Sequence, residues 1–99
     1  MEHHLFVYGT LLETEVQLAI LGRMVEGTPD RLAGYKKVSI WLEGQIYPII
    51  KPAAGSAVAG LVIAVTPAEL KLIDDYEGEA YRRTRVTLVS GRQVWVYQD

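Results

Sequence analysis

The chain has 99 residues, 49% hydrophobic and 22% charged, which is enough apolar content for a folded domain and too much for a disordered one. Its 10 Lys and Arg against 12 Asp and Glu give a formal net charge of -2, which argues against the basic surface that a general nucleic-acid binder needs. Cysteine is absent, and the two histidines are adjacent at His3 and His4; disulfides, thiolate metal sites, Cys nucleophiles and a His-based triad or metal cage elsewhere are therefore excluded.

The start, Met1-Glu2-His3-His4, is too polar and too short to open a signal peptide, and no apolar run approaches the ~20 residues of a membrane span. A cytoplasmic chain with no membrane partner, forming one domain over residues 1–99, is expected. His3 and His4 read as a flexible terminus or a tag remnant.

Leu5-Phe6-Val7-Tyr8 is a short apolar run of the buried-strand type, ending at Gly9. Thr14 or Thr10 is positioned to cap a short helix over Glu15 to Leu21, with Val16, Ala19 and Ile20 on one face and Gly22 as the stop. Met24 to Thr28 reads as a weak strand. Arg31 to Trp41 reads as one bent strand or two, with Gly34 at the bulge. Tyr47-Pro48-Ile49-Ile50 is expected to be extended, because proline biases the residue before it away from the helical region. Ala57 to Val65 has the small and branched residues of a central strand.

The clearest helix start is Thr66-Pro67-Ala68-Glu69, a capping box with proline at the first helical position. This helix is expected to run to about Tyr76 and stop at Gly78. Two strands, Tyr81 to Val89 and Arg92 to Tyr97, follow, joined by Ser90-Gly91. In the first, Arg83, Arg85 and Thr87 alternate with Thr84, Val86 and Leu88, predicting one wet and one dry face. The pattern is that of an α+β domain: a small mixed, strongly curved β-barrel with two short helices packed outside.

Two places could carry chemistry. On a helical wheel Leu70, Leu72, Ile73 and Tyr76 share an arc, Glu77 lies within it, and Asp74 and Asp75 fall toward the solvated side. A carboxylate at the end of an apolar face is desolvated, which raises its pKa toward the value a general acid/base needs near pH 7. The alternative is a carboxylate at a fraying helix end, reaching water. The second place is Tyr8-Gly9-Thr10-Leu11, where a strand gives way to a helix and several N–H groups can face an anion or a developing oxyanion. The alternative there is an ordinary turn using glycine for its backbone freedom.

Other residues point less sharply. Tyr81 reads as a barrel-rim tyrosine with a satisfied hydroxyl, and Arg82, Arg83 and Arg85 as a solvated strand face. Trp41, Trp95 and Tyr97 read as core or rim packing. Asp74, Asp75, Glu77 and Glu79 match no metal-loop spacing.

Taken in order, Leu5-Phe6-Val7-Tyr8-Gly9-Thr10-Leu11, Tyr47-Pro48, Gly60, Leu72-Ile73-Asp74-Asp75-Tyr76-Glu77-Gly78, Tyr81-Arg82-Arg83 and Val94-Trp95-Val96-Tyr97 span nearly the whole chain. This series resembles the gamma-glutamylcyclotransferase-like family, in particular its small bacterial and archaeal members near gamma-glutamylamine cyclotransferase. The resemblance implies a cavity between the Tyr-Gly-Thr-Leu loop and the acidic helix end. It implies a γ-glutamyl substrate bound by Tyr8, Gly9, Thr10 and Leu11, with Glu77 as the catalytic carboxylate and Tyr81 near the pocket. It further implies release of 5-oxoproline and a free amine or amino acid, without a metal or organic cofactor.

Family members often carry basic or Gly-rich residues after the loop; here Leu12-Glu13-Thr14-Glu15 follows. Glu13 and Glu15 would repel an anionic leaving group and favour a cationic one, unless they point away. The chain ends soon after Tyr97, so a more open pocket, or one completed by a second subunit in a homodimer, is an expectation. Two other readings stay open: a non-catalytic module that binds a small ligand in the same cavity, and an interaction domain using its sheet surface.

Overall fold

Leu5, Phe6 and Val7 are buried on both faces of a sheet, and that double burial organises the molecule. The structure is a computed structural model that describes residues 3–79 and 81–98; Met1 and Glu2 lie outside the described residues. In chain order it comprises β1 (His3–Val7), a 3-10 turn (Thr10–Leu12), α1 (Thr14–Leu21), β2 (Gly27–Leu42), β3 (Gln45–Val65), α2 (Pro67–Glu77), β4 (Arg82–Thr87) and β5 (Gln93–Gln98). The strands form one mixed sheet in the order β2-β3-β1-β5-β4. The β1–β5 pair is parallel and the others are antiparallel.

Side chains alternate across a strand, so β1 feeds two cores. Phe6 and Tyr8 enter a concave-side cluster with Leu32, Ile50, Val58, Val62 and Val96. Leu5 and Val7 enter a second cluster with Ile63, Val65, and Leu70 and Ile73 of α2. Gly60 permits the close contact of β3 with β1: a Cβ there would stand 2.4 Å from the Val7 carbonyl oxygen and 2.8 Å from Phe6.

The sheet curls into a half-barrel. Its edge strands, β2 and β4, are brought together where Val89 donates its N–H to the Arg31 carbonyl at 2.8 Å and Ser90 Oγ donates to Asp30 at 2.5 Å. The α+β reading with a curved mixed sheet and two short helices is therefore right, and the barrel is open.

β2 and β3 form a long hairpin through a two-residue turn in which Glu43 and Gly44 both have positive φ. The register passes from Ala33↔Ala57 to Tyr35↔Pro52 across an irregularity at Gly34. This bends the distal half of the hairpin toward the end of β1. Tyr47-Pro48-Ile49-Ile50 and Ala57 to Val65, expected as separate strands, are parts of one strand.

Several local expectations are corrected. His3 and His4 pair with Val65 and Ala64 in β1 instead of fraying. Met24 to Glu26 stay outside the sheet, and β2 begins at Gly27. Neither threonine caps α1: Glu13 holds the N-cap position without a side-chain bond, and Thr14 is already helical. The inward face of α1 is Val16, Gln17, Ile20 and Leu21, while Ala19 is exposed. Trp41, near the hairpin tip, is 73% exposed and packs in no core. Among the described residues, no helix is long and apolar enough to cross a membrane.

The expected capping box is present: Thr66 Oγ1 accepts from Glu69 N–H at 3.1 Å, and the Glu69 carboxylate accepts from Thr66 N–H at 2.9 Å. Arg23, just beyond α1, adds two 2.7 Å hydrogen bonds to the same carboxylate. Those bonds, chiefly the one from Arg23, hold Glu69 down to about 2.

Candidate functional site

The loop after β1, the hairpin tip and the C-terminal end of α2 enclose a cavity of about 410 Å³, a volume suited to a small molecule. Its walls are residues 6–11, Gln45, Ile46, Tyr47 and Pro48 of the hairpin, Tyr76 and Glu77 of α2, Tyr81, and Tyr97 of β5. Tyr8, Gly9, Thr10, Leu11, Glu77 and Tyr81, singled out from sequence, all line this one space.

The loop is held from several sides. Tyr8 is buried and donates its hydroxyl to the Tyr97 carbonyl at 2.6 Å. Gly9 lies so close to Pro48 that an added Cβ would stand 3.0 Å from the proline ring. The turn closes by bonds from Leu12 N–H to the Gly9 carbonyl at 3.0 Å and from Glu13 N–H to the Thr10 carbonyl at 2.9 Å. The N–H groups that open such a turn have no acceptor within it, and they belong to residues lining the cavity. Thr10 Oγ1 is 2.8 Å from the Tyr76 hydroxyl, joining loop and helix across the rim. Leu11 is buried among Leu5, Val7 and Ile73.

Glu77 is the last residue of α2. The inward arc is narrower than the wheel suggested: Leu70 and Ile73 are buried and Glu77 is half-buried, while Leu72 and Tyr76 are exposed. No hydrogen bond or ion pair to its carboxylate is formed by a described residue. Burial without compensation pushes its pKa up to about 7, because removal from water penalises the ionised form. Tyr81 donates its hydroxyl to the Pro48 carbonyl at 2.9 Å, fixing the hairpin against the segment that follows α2.

The structure corrects the reading of Asp74 and of the arginine face. Asp74 is half-buried and accepts from Tyr97 Oη at 2.5 Å and from Arg83 Nη2 at 3.1 Å. Arg83 is half-buried rather than solvated and lies over Trp95, 4.6 Å from the ring centroid, with Arg85 at 5.0 Å from the same ring. Burial, and then the Asp74 carboxylate, push the Tyr97 phenol well above its usual range. Tyr97 is buried, as expected, but it also forms part of the cavity wall.

Two supporting residues were missed from sequence. Gln17 is buried, donates to the Leu11 carbonyl at 2.8 Å and accepts from Val25 N–H at 3.0 Å. Lys37 Nζ donates to the Tyr8 carbonyl at 3.3 Å. A polar residue among the apolar positions of α1 was the available signal for Gln17; nothing local marks Lys37.

Glu13 and Glu15 are exposed, and neither lines the cavity. Among the described residues, no group of three or more His, Cys, Asp or Glu side chains is arranged to hold a metal ion. A desolvated carboxylate facing a loop of backbone amides can exchange a proton with a substrate while the amides stabilise negative charge.

The sequence profile described as "Gamma-glutamyl cyclotransferase, AIG2-like" matches residues 5–98. Protein AIG2 C of Arabidopsis thaliana is 40% identical over 88 residues, covering 88% of this chain and 52% of that protein. A solution structure of another Arabidopsis thaliana protein superposes with a TM-score of 0.84 at 32% identity, covering 98% of this chain and 68% of the other. A structure titled gamma-glutamyl cyclotransferase shares the fold, with a TM-score of 0.77 at 19% identity over 99% of this chain and 66% of that one. The chain spans about half the length of the curated relatives it matches.

Proposed function

Because this chain belongs to the gamma-glutamyl cyclotransferase, AIG2-like family, we propose that it is a γ-glutamyl cyclotransferase, with Glu77 as general acid/base. The observation that carries this reading is a half-buried carboxylate with a pKa of about 7, in one cavity with the Tyr8-Gly9-Thr10-Leu11 loop.

In the proposed reaction Glu77 takes a proton from the substrate's α-ammonium. The freed amine attacks the γ-carbonyl carbon and closes a five-membered lactam. Glu77 returns its proton to the leaving nitrogen and the γ-carbon–nitrogen bond to it breaks; the ring nitrogen then loses its second proton through Glu77 to the departing amine, which leaves as an ammonium ion. Nucleophile and electrophile belong to one molecule, so much of the entropic cost of bringing them together is already met by the substrate. Loop N–H groups stabilise the oxyanion. Proton transfer needs a group whose pKa lies near the working pH. The reaction draws on no metal or organic cofactor, and its products are 5-oxoproline and a free amine or amino acid.

The test is release of 5-oxoproline from a panel of γ-glutamyl amino acids, ε-(γ-glutamyl)-lysine, a γ-glutamyl polyamine and glutathione, with wild type beside Glu77→Gln. Release by wild type and its loss in the folded variant support the reading. Binding of 5-oxoproline without release from any substrate would replace it with a binding module.

A further inference from the structure

The cavity has no lysine or arginine in its walls among the described residues, although a γ-glutamyl group carries an α-carboxylate. A positive charge stands behind the loop, on the otherwise exposed side chain of Lys37. Lys37 of β2 lies opposite Ile50 of β3, and directly opposed residues of an antiparallel pair point to the same face. Ile50 is buried in the concave-side core. The bend of the hairpin carries the Lys37 ammonium to the end of β1, where it donates to the Tyr8 carbonyl at 3.3 Å. Among the described residues Lys37 forms no ion pair. An ammonium has three donors, and Tyr8 takes one of them.

The carbonyl of Tyr8 and the N–H of Gly9 belong to one planar peptide unit, which is trans here and therefore directs the two groups to opposite sides. A carbonyl held by Lys37 fixes the direction of the Gly9 N–H. Polarising that carbonyl also makes the N–H a stronger donor.

We propose that Lys37 is a positioning and selectivity residue. It holds the Tyr8–Gly9 peptide from behind and supplies the positive charge that makes the loop prefer an anionic group, the α-carboxylate of a γ-glutamyl substrate, over a neutral one. The assignment rests on the γ-glutamyl reading above.

The experiment compares 5-oxoproline with 5-oxoprolinamide, which share a ring and differ in carboxylate against carboxamide. Binding of each to wild type, Lys37→Met and Lys37→Arg is measured by calorimetry, with circular dichroism confirming the fold. Wild type is expected to bind the carboxylate about tenfold tighter than the amide, on the scale of one charge-assisted hydrogen bond. Lys37→Met, which keeps the apolar stem, removes that preference by weakening the acid alone, and Lys37→Arg retains it. Equal weakening of both ligands, or an unchanged preference in Lys37→Met, overturns the assignment and leaves the γ-glutamyl reading standing. Failure of wild type to bind either ligand overturns the role of Lys37, while the γ-glutamyl reading is decided separately by release of 5-oxoproline.

Discussion

The hydroxyl of Tyr97 donates to Asp74 at 2.5 Å, while the backbone carbonyl of Tyr97 accepts the hydroxyl of Tyr8 at 2.6 Å. One residue of β5 thus ties the loop after β1 to the helix that ends in Glu77. Asp74 is also held by Arg83, so removing the carboxylate disturbs two partners and removing the phenol disturbs one. Tyr97→Phe is expected to cost about 1 kcal/mol, the net worth of a hydrogen bond. Asp74→Ala is expected to cost about 2–3 kcal/mol, because it leaves a half-buried guanidinium without its counter-charge. Urea unfolding at pH 7 measures both, and a double-mutant cycle isolates the coupling. Equal costs for the two variants would show that Arg83 adds nothing to the network. The raised Tyr97 pKa has no bearing near neutrality: its contribution is complete below the unfolded phenol value and is lost only in strong alkali.

On the proposed mechanism the free enzyme must hold Glu77 ionised to accept the first proton. With its pKa near 7, kcat/KM for 5-oxoproline release is expected to rise tenfold per pH unit below about 7 and then level. Glu77→Gln should lower kcat/KM by a factor of about 10²–10⁴. An acidic limb centred near pH 4.5 would mean that Glu77 is solvated in the free enzyme, or that another group sets the profile.

Much of this site was legible because its signals are local. Thr66-Pro67-Ala68-Glu69 declares a helix start within four residues, and both reciprocal bonds of the capping box are formed. Gly9 and Glu77 could be singled out from a strand end and a helix face. What the sequence concealed depends on contacts between distant segments. Tyr47-Pro48-Ile49-Ile50 and Ala57 to Val65 read as separate strands, yet both lie in β3, which pairs with β1 only from Leu61 to Val65. The distal half of β3 therefore pairs with β2 alone, and proline is tolerated where one side of a strand has no ladder to complete. Asp74 looks solvated on a wheel because the wheel knows nothing of Arg83 and Tyr97, which arrive from β4 and β5. Trp41 reads as core or rim packing; the hairpin tip has no layer to bury it.

The same burial that gives Glu77 its proton affinity costs stability at neutral pH. Its folded pKa, about 7, lies above its ordinary value of 4.5. Between those values the unfolded chain ionises Glu77 more readily than the folded protein does. Its contribution to stability is therefore full below about pH 4.5 and is lost as pH rises through 7. Removing the ionisation by Glu77→Gln should leave stability nearly unchanged at pH 4 and raise it at pH 8, by up to about 3 kcal/mol. Guanidinium unfolding of both proteins at the two pH values tests this. A gain of the same size at pH 4 would point to better packing of the amide instead of relief of a buried charge.

Glu69 works in the opposite direction and ties the two helices together. Its carboxylate takes Arg23 and the Thr66 N–H at once and is held near 2, below its ordinary 4.5. The stability it contributes is present above about pH 4.5 and falls away as acid approaches pH 2. Glu69→Ala loses half of the capping box and the link to α1, and should cost about 1–2 kcal/mol at pH 7. Arg23→Ala, which leaves the cap intact, should cost less, about 0.5 kcal/mol, because the arginine is half exposed and its ion pair is screened. Thermal melts at pH 7 and pH 3 separate the contributions: the deficit of Glu69→Ala should shrink at pH 3. A deficit equal at both values would assign its cost to lost helix packing rather than to the ionised carboxylate.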